Sequence, residues 1–127
     1  MTRIALFQSN TGIDPEANAR ALADAVAEAA AGGAEMLFTP EMSGMIDQDS
    51  ARAAGKRRSE QEDPVLAAAR DAAKRNQIWL DVGSIAILAD GDGERALKGL
   101  TGVGSQGDRA GNTEHTLVAG TKLDRRG

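Results

Sequence analysis

Short apolar runs alternate with long alanine-rich stretches in the first ninety residues, and that rhythm predicts alternating strands and helices. Ile4-Ala5-Leu6-Phe7 is a brief apolar run that stops at Gln8-Ser9-Asn10 and the turn residues Thr11-Gly12, the signature of a short buried strand. Asp14-Pro15 then starts a helix, with Asp as N-cap and Pro at the first helical position. Good helix formers fill 15–31, and Ala19, Leu22, Val26 and Ala30 recur every three or four residues as one apolar stripe. Gly32-Gly33 ends the helix. Met36-Leu37-Phe38 follows at once as a second strand over 36–39, closed by Pro40, which has no N–H for a ladder. A strand, a helix and a strand at this spacing predict a parallel pair with a right-handed crossover.

The pattern repeats, less cleanly. Asp47, Asp49 and Ser50 are positioned to cap a short helix over 50–58 that ends in Lys56-Arg57-Arg58. That basic triplet reads as a solvated helix face, its charge largely cancelled by Glu60, Glu62 and Asp63. Asp63-Pro64 repeats the Asp14-Pro15 device and opens a helix to about Arg75, with Val65, Leu66, Ala69 and Ala73 toward the sheet. Asn76 is the expected left-handed terminator. Ile78-Trp79-Leu80-Asp81-Val82 is a third strand, with Trp79 a core residue, and Ser84 to Leu88 extends it or forms a fourth after Gly83. Asp90-Gly91-Asp92-Gly93 suits a hairpin tip. Beyond it the rhythm fails. Nine of the 15 glycines lie in 91–127, and apart from Thr116-Leu117-Val118-Ala119 no segment there sustains a period. Such composition buries too little surface to offset chain entropy, so 96–127 is expected to be poorly ordered.

Composition narrows the function. A length of 127 residues suits one domain with a modest core. Aromatics make up 2% of the chain, so the large anchors reduce to Phe7, Phe38 and Trp79. A formal charge of −4 argues against nucleic acid and anionic membranes as partners. With no cysteine, disulfides, thiolate metal sites and a cysteine nucleophile within these residues are excluded. No apolar run approaches a bilayer span and no signal-peptide core stands at the N-terminus, so the expected location is the cytoplasm.

Glu41 is the candidate catalytic residue, standing just past the C-terminal end of a buried strand, where open α/β sheets place their ligands. Excluded from water, it would serve as a general base near neutral pH. A solvated glutamate at a strand exit, or one capping the next helix, satisfies the same local pattern. Other motifs carry less. Gly102-Val103-Gly104-Ser105-Gln106-Gly107 spells a dinucleotide fingerprint but lacks a convincing strand before and helix after. His115, the single histidine, has no ligand partner, and Asp47, Asp49 and Asp63 read as caps rather than a cation site. No cofactor and no metal is expected.

Residues 1–94 resemble the N-terminal part of the nitrilase superfamily of carbon–nitrogen hydrolases, in particular amidase-type members related to omega-amidase. The resemblance runs through Arg3-Ile4-Ala5-Leu6-Phe7-Gln8, the alanine-rich helix, Gly33-Ala34-Glu35-Met36-Leu37-Phe38-Thr39-Pro40-Glu41 and Trp79-Leu80-Asp81-Val82-Gly83-Ser84. It implies the N-terminal portion of an α-β-β-α sandwich, usually dimeric, acting on a small amide or nitrile. It also implies that Glu41 is the general base of a Glu-Lys-Cys set, in which a thiolate attacks the amide or nitrile carbon and a lysine stabilises the charge that develops. Trp79 could then present one face to the site near Glu41.

The departures are specific. A Tyr-Asp-Lys-x-His segment would supply the lysine, yet the chain has no tyrosine, and Lys98 and Lys122 stand in unrelated contexts. The expected organisation is therefore a partial hydrolase domain over 1–94 and an irregular tail over 95–127. A shifted reading frame near Arg95 or a truncated gene would explain the tail, with a divergent C-terminus as the alternative. Such a chain is expected to be inactive alone and to present an unpaired sheet edge and an uncovered apolar face. The alternative functions are a non-catalytic α/β interaction module and a nucleotide-binding domain using 102–107.

Overall fold

The computed structural model describes residues 1–89 and 92–103. Its elements run β1 (Ile4–Leu6), α1 (Pro15–Ala31), β2 (Met36–Thr39), α2 (Ser50–Lys56), α3 (Pro64–Asn76), β3 (Trp79–Ala89) and β4 (Asp92–Val103). The four strands form one sheet in the order β1-β2-β3-β4, the first two pairs parallel and the last antiparallel.

Asp side chains start each helix by accepting the backbone N–H groups that a first turn leaves unpaired. Asp14 accepts from Glu16, Asp49 from Arg52, and Asp63 from both Val65 and Leu66 at 2.9 Å. At the other end of α1, Gly33 takes φ +83, a conformation that favours glycine. The terminator of α3 is Gln77, at φ 54 and ψ 41; the expected Asn76 is instead the last helical residue and donates its side-chain N–H to the Ala72 carbonyl. Leu88 N–H bonding to the Arg58 carbonyl ties the segment after α2 to β3.

The sheet order dictates where the core lies. Strands added in one direction through right-handed crossovers put every connecting helix on the same face. Leu22 and Val26 of α1, and Val65, Leu66, Ala69 and Ala73 of α3, accordingly bury against Leu37, Leu80, Val82 and Ile85. Full burial of each large aliphatic side chain is worth about 1.5–3 kcal/mol.

Alternation along the strands sends the other set of side chains to the opposite face. Register places Ile4, Met36 and Trp79 in one row and Leu6, Phe38 and Asp81 in another. Trp79 is therefore not a core residue: it is 49% exposed, because its neighbours Leu80 and Val82 claim the helix-covered side. Ile4 and Leu6 are exposed too, giving an apolar face that no described element covers, beside an edge of β1 that pairs with no other described strand.

Regular structure also runs further than the hydropathy pattern predicts. Residues 92–103 pair with β3, so the stretch from 96 to 103, expected to be irregular, is a strand. An antiparallel ladder is built from backbone groups, which need no apolar period once a hairpin has set the register. Ala89 pairs with Asp92, as the hairpin reading of 90–93 requires. Residues 104–127, with His115, Lys122 and the remainder of the glycine fingerprint, lie outside the described residues.

Candidate functional site

Glu41 stands in a turn immediately after β2, past the C-terminal ends of the parallel strands. Pro40 stops the β2 ladder after Thr39 pairs with Val82, and the chain bends there. The bend is strained. Met42, directly after Glu41, has φ 56, in the left-handed region that costs a non-glycine residue about 1–2 kcal/mol.

Hydrogen bonds hold that conformation from both sides. Met42 N–H donates to Ser84 Oγ at 2.8 Å, and Ser43 N–H donates to the Ser84 carbonyl at 2.9 Å. Ser43 Oγ donates to the Pro40 carbonyl at 2.6 Å, which leaves Thr39 Oγ1 as the donor in its 2.9 Å bond with Ser43 Oγ. Thr39, Ser43 and Ser84 are all buried. Gly83 makes the close approach possible: a Cβ there would lie 2.5 Å from the Pro40 carbonyl oxygen and 2.7 Å from that of Thr39. The strand is shaped for this contact. Between Val82↔Thr101 and Ile85↔Gly99 the ladder slips by one residue, a bulge on β3 that contains Gly83 and Ser84.

Glu41 itself is exposed, so the water exclusion that general-base work requires is not supplied by the described residues around it. Nearby, Asn18 braces the rim. It donates to the carbonyls of Gly12 and Gly44 and accepts from Gly12 N–H, tying the loop after β1 to the loop after Glu41. A cavity of about 120 Å³ opens there, lined by Phe7, Ser9, Thr11, Asn18, Leu22 and Ser43.

The remaining sequence candidates have structural uses. Asp47 forms a paired contact with Arg52, both bonds 2.7 Å, and the guanidinium holds its carboxyl down at about 2. Asp49 and Asp63 are caps, and among the described residues there is no cluster of three or more side chains that could hold a metal. Lys56 donates to the Ile13 carbonyl and Arg58 to the carbonyls of Gly55 and Arg57, so those two side chains of the basic triplet fasten local backbone.

Asp81 is a residue that the hydropathy pattern does not single out. Only 8% exposed, it has an Oδ1 with no hydrogen-bond partner among the described residues, and burial pushes its carboxyl up to about 6. The available signal is an aspartate inside the run Trp79-Leu80-Asp81-Val82. Because the folded value lies above the unfolded one, Asp81 is neutral in both states below about pH 4. Above about pH 6 the folded protein must hold a buried charge, so stability falls as pH rises between these limits. Asp81→Leu is expected to raise unfolding free energy at pH 8 by about 2–3 kcal/mol. It should also flatten the decline across that window, which urea unfolding at three pH values would check. Parallel pH profiles for the two proteins would contradict the assignment.

Comparison with known proteins places this geometry. A family model described as Carbon-nitrogen hydrolase matches residues 3–120. No curated protein matches the chain. Among solved structures, the C. elegans NitFhit protein aligns at TM-score 0.75 and 20% identity, covering 97% of this chain and 32% of its own. The NitN amidase from Nesterenkonia sp. AN1 aligns at TM-score 0.71 and 24% identity, covering 94% and 46%. One variant of that amidase was solved in complex with butyramide, and another shows acrylamide added to the active-site cysteine. The chain thus spans 32% to 46% of the length of these proteins, and at such identity the likeness is one of fold. The fold is that of the nitrilase superfamily.

Proposed function

The chain belongs to the carbon–nitrogen hydrolase family, and on that premise we propose that it carries the general base, Glu41, of an amidase-type Glu-Lys-Cys hydrolase. The observation that carries this reading is the left-handed, hydrogen-bonded turn that fixes the backbone beside Glu41 at the C-terminal end of β2. Strain of this kind persists where the surroundings over-determine it, and it clusters at active sites. In the proposed reaction Glu41 takes the proton of a cysteine thiol and the thiolate adds to the carbonyl carbon of a small amide. Lysine stabilises the resulting oxyanion. Glu41 returns that proton to the nitrogen, the intermediate collapses to a thioester and ammonia leaves. Water, deprotonated by Glu41, then cleaves the thioester to the carboxylic acid, and the proton goes back to the thiolate to regenerate the thiol. Short aliphatic amides are the proposed substrates, by analogy with the amidase bound to butyramide.

No cysteine occurs in the 127 residues, so the nucleophile has to come from outside them. The family match continues past Arg95 to residue 120, and the solved relatives are more than twice this chain's length, so we propose that the lysine and cysteine are encoded downstream of these residues rather than lost to a change of frame near Arg95. Reading the coding DNA beyond codon 94 in all three frames is expected to reveal a Tyr-Asp-Lys segment and a later cysteine codon. Finding neither in any frame would sink this proposal. The 127-residue chain, incubated with butyramide, is expected to release no ammonia above the buffer blank; measurable release would overturn the requirement for an outside nucleophile.

A second reading draws on the exposed face of Ile4, Leu6 and Trp79, which would suit a non-catalytic interaction module. A stable, monomeric chain by sedimentation, together with no cysteine in any frame, would favour it.

A further inference from the structure

We infer that Ser84 is a positioning residue for Glu41, its hydroxyl oxygen holding Met42 in the left-handed conformation that sets the direction of the Glu41 backbone. The inference rests on the general-base reading of Glu41 for its functional meaning, while its geometry stands separately.

Ser84 is remote from the turn in sequence and meets it because β2 and β3 are paired in parallel, Thr39 against Val82. Three observations converge on its side chain. It is 1% exposed, so its oxygen has lost water and needs protein partners. It lies on the β3 bulge, where the slipped ladder re-aims a side chain. And it accepts the N–H of Met42, the residue of positive φ directly beside Glu41. The Ser84 carbonyl takes the next N–H, that of Ser43, so one residue engages two successive amides of the turn. The side-chain bonds of Thr39 and Ser43 close within the turn and the end of β2, and do not fix either relative to β3. The Ser84 hydroxyl, by contrast, joins the turn to β3.

The test uses the full 127-residue chain and compares wild type with Ser84→Ala and Ser84→Thr, the second keeping the oxygen. Amide hydrogen exchange at Met42 is expected to quicken about tenfold or more in Ser84→Ala, the loss of one hydrogen bond's worth of protection. The Met42 backbone coupling constants are expected to leave their wild-type values. Ser84→Thr is expected to restore both. Unchanged Met42 exchange and couplings in Ser84→Ala would overturn the inference. If Ser84→Ala fails to fold while Ser84→Thr folds with wild-type exchange, the oxygen is required and the inference stands; failure of both overturns it. In a protein that joins this chain in frame to a downstream lysine and cysteine, Ser84→Ala is expected to lower kcat about tenfold or more with little change in KM, as misplacement of a catalytic group does. Full activity in Glu41→Gln would defeat the general-base reading and leave the exchange result intact. Loss of activity in Glu41→Gln with wild-type kcat in Ser84→Ala would defeat the positioning role alone.

Discussion

Glu41→Gln, in a protein that joins this chain in frame to the downstream lysine and cysteine, is expected to lower kcat for butyramide hydrolysis by about 10²–10⁴-fold. Glutamine keeps the shape of the side chain and its place in the turn, but it cannot accept the thiol proton. The N–H bonds of Met42 and Ser43 run to Ser84, and Ser43 Oγ bonds to Thr39 Oγ1 and the Pro40 carbonyl, so the turn should survive the change. Stability is expected to stay within about 1.5 kcal/mol of wild type, the range for altering one side-chain hydrogen bond. Steady-state kinetics with ammonia detection, paired with urea unfolding, separates the two effects. Wild-type kcat in the variant would remove Glu41 from the mechanism.

Gly83→Ala is expected to destabilise the chain by about 1–3 kcal/mol, the range for overfilling a packed site. The new Cβ would stand 2.5 Å from the Pro40 carbonyl oxygen and 2.7 Å from the Pro40 carbonyl carbon. Both are backbone atoms, so no side chain can swing away, and relief requires the turn to move off β3. That movement would lengthen the bonds from Met42 and Ser43 to Ser84. By contrast, a Cβ at Gly55 meets nothing within 4 Å, and Gly55→Ala serves as the control for replacing glycine as such. Urea midpoints that are the same for both variants would show that the close approach at Gly83 costs nothing.

The Asp81 and Gly83 predictions concern near neighbours on one strand and act in opposite directions. Removing a buried carboxylate relieves a cost at neutral pH, whereas adding a methyl group at Gly83 creates one. Together they describe β3 as a strand that gives up local stability to meet the Glu41 turn and to bury Asp81.

Much of this architecture is legible in the linear chain because its signals are local. Asp14-Pro15 and Asp63-Pro64 mark helix starts through bonds that span two or three residues, and the stripe of Ala19, Leu22 and Val26 marks the buried face of α1. The second strand over 36–39 and its end at Pro40 follow from apolar content and a missing N–H. Glu41 stands out as a candidate by its place after that strand. Gln77 in place of Asn76 as the left-handed terminator is a shift of one residue, within the range by which helix ends vary.

What the linear chain leaves open depends on contacts between distant residues. An aromatic residue in an apolar run reads as core, but the two crossover connections decide which face of β3 the helices cover, and Trp79 falls on the other face. β4 has no hydropathy period because backbone pairing with β3 defines it. The clamp on the Glu41 turn joins Met42 and Ser43 to Ser84 across two parallel strands, with Gly83 leaving room for the Pro40 carbonyl. Composition and spacing carry helix starts, strand cores and a candidate base, since each depends on neighbours along the chain. The sheet's pairing determines which face is covered, which carboxylate is buried and which serine holds the turn, since each depends on residues that only folding brings together.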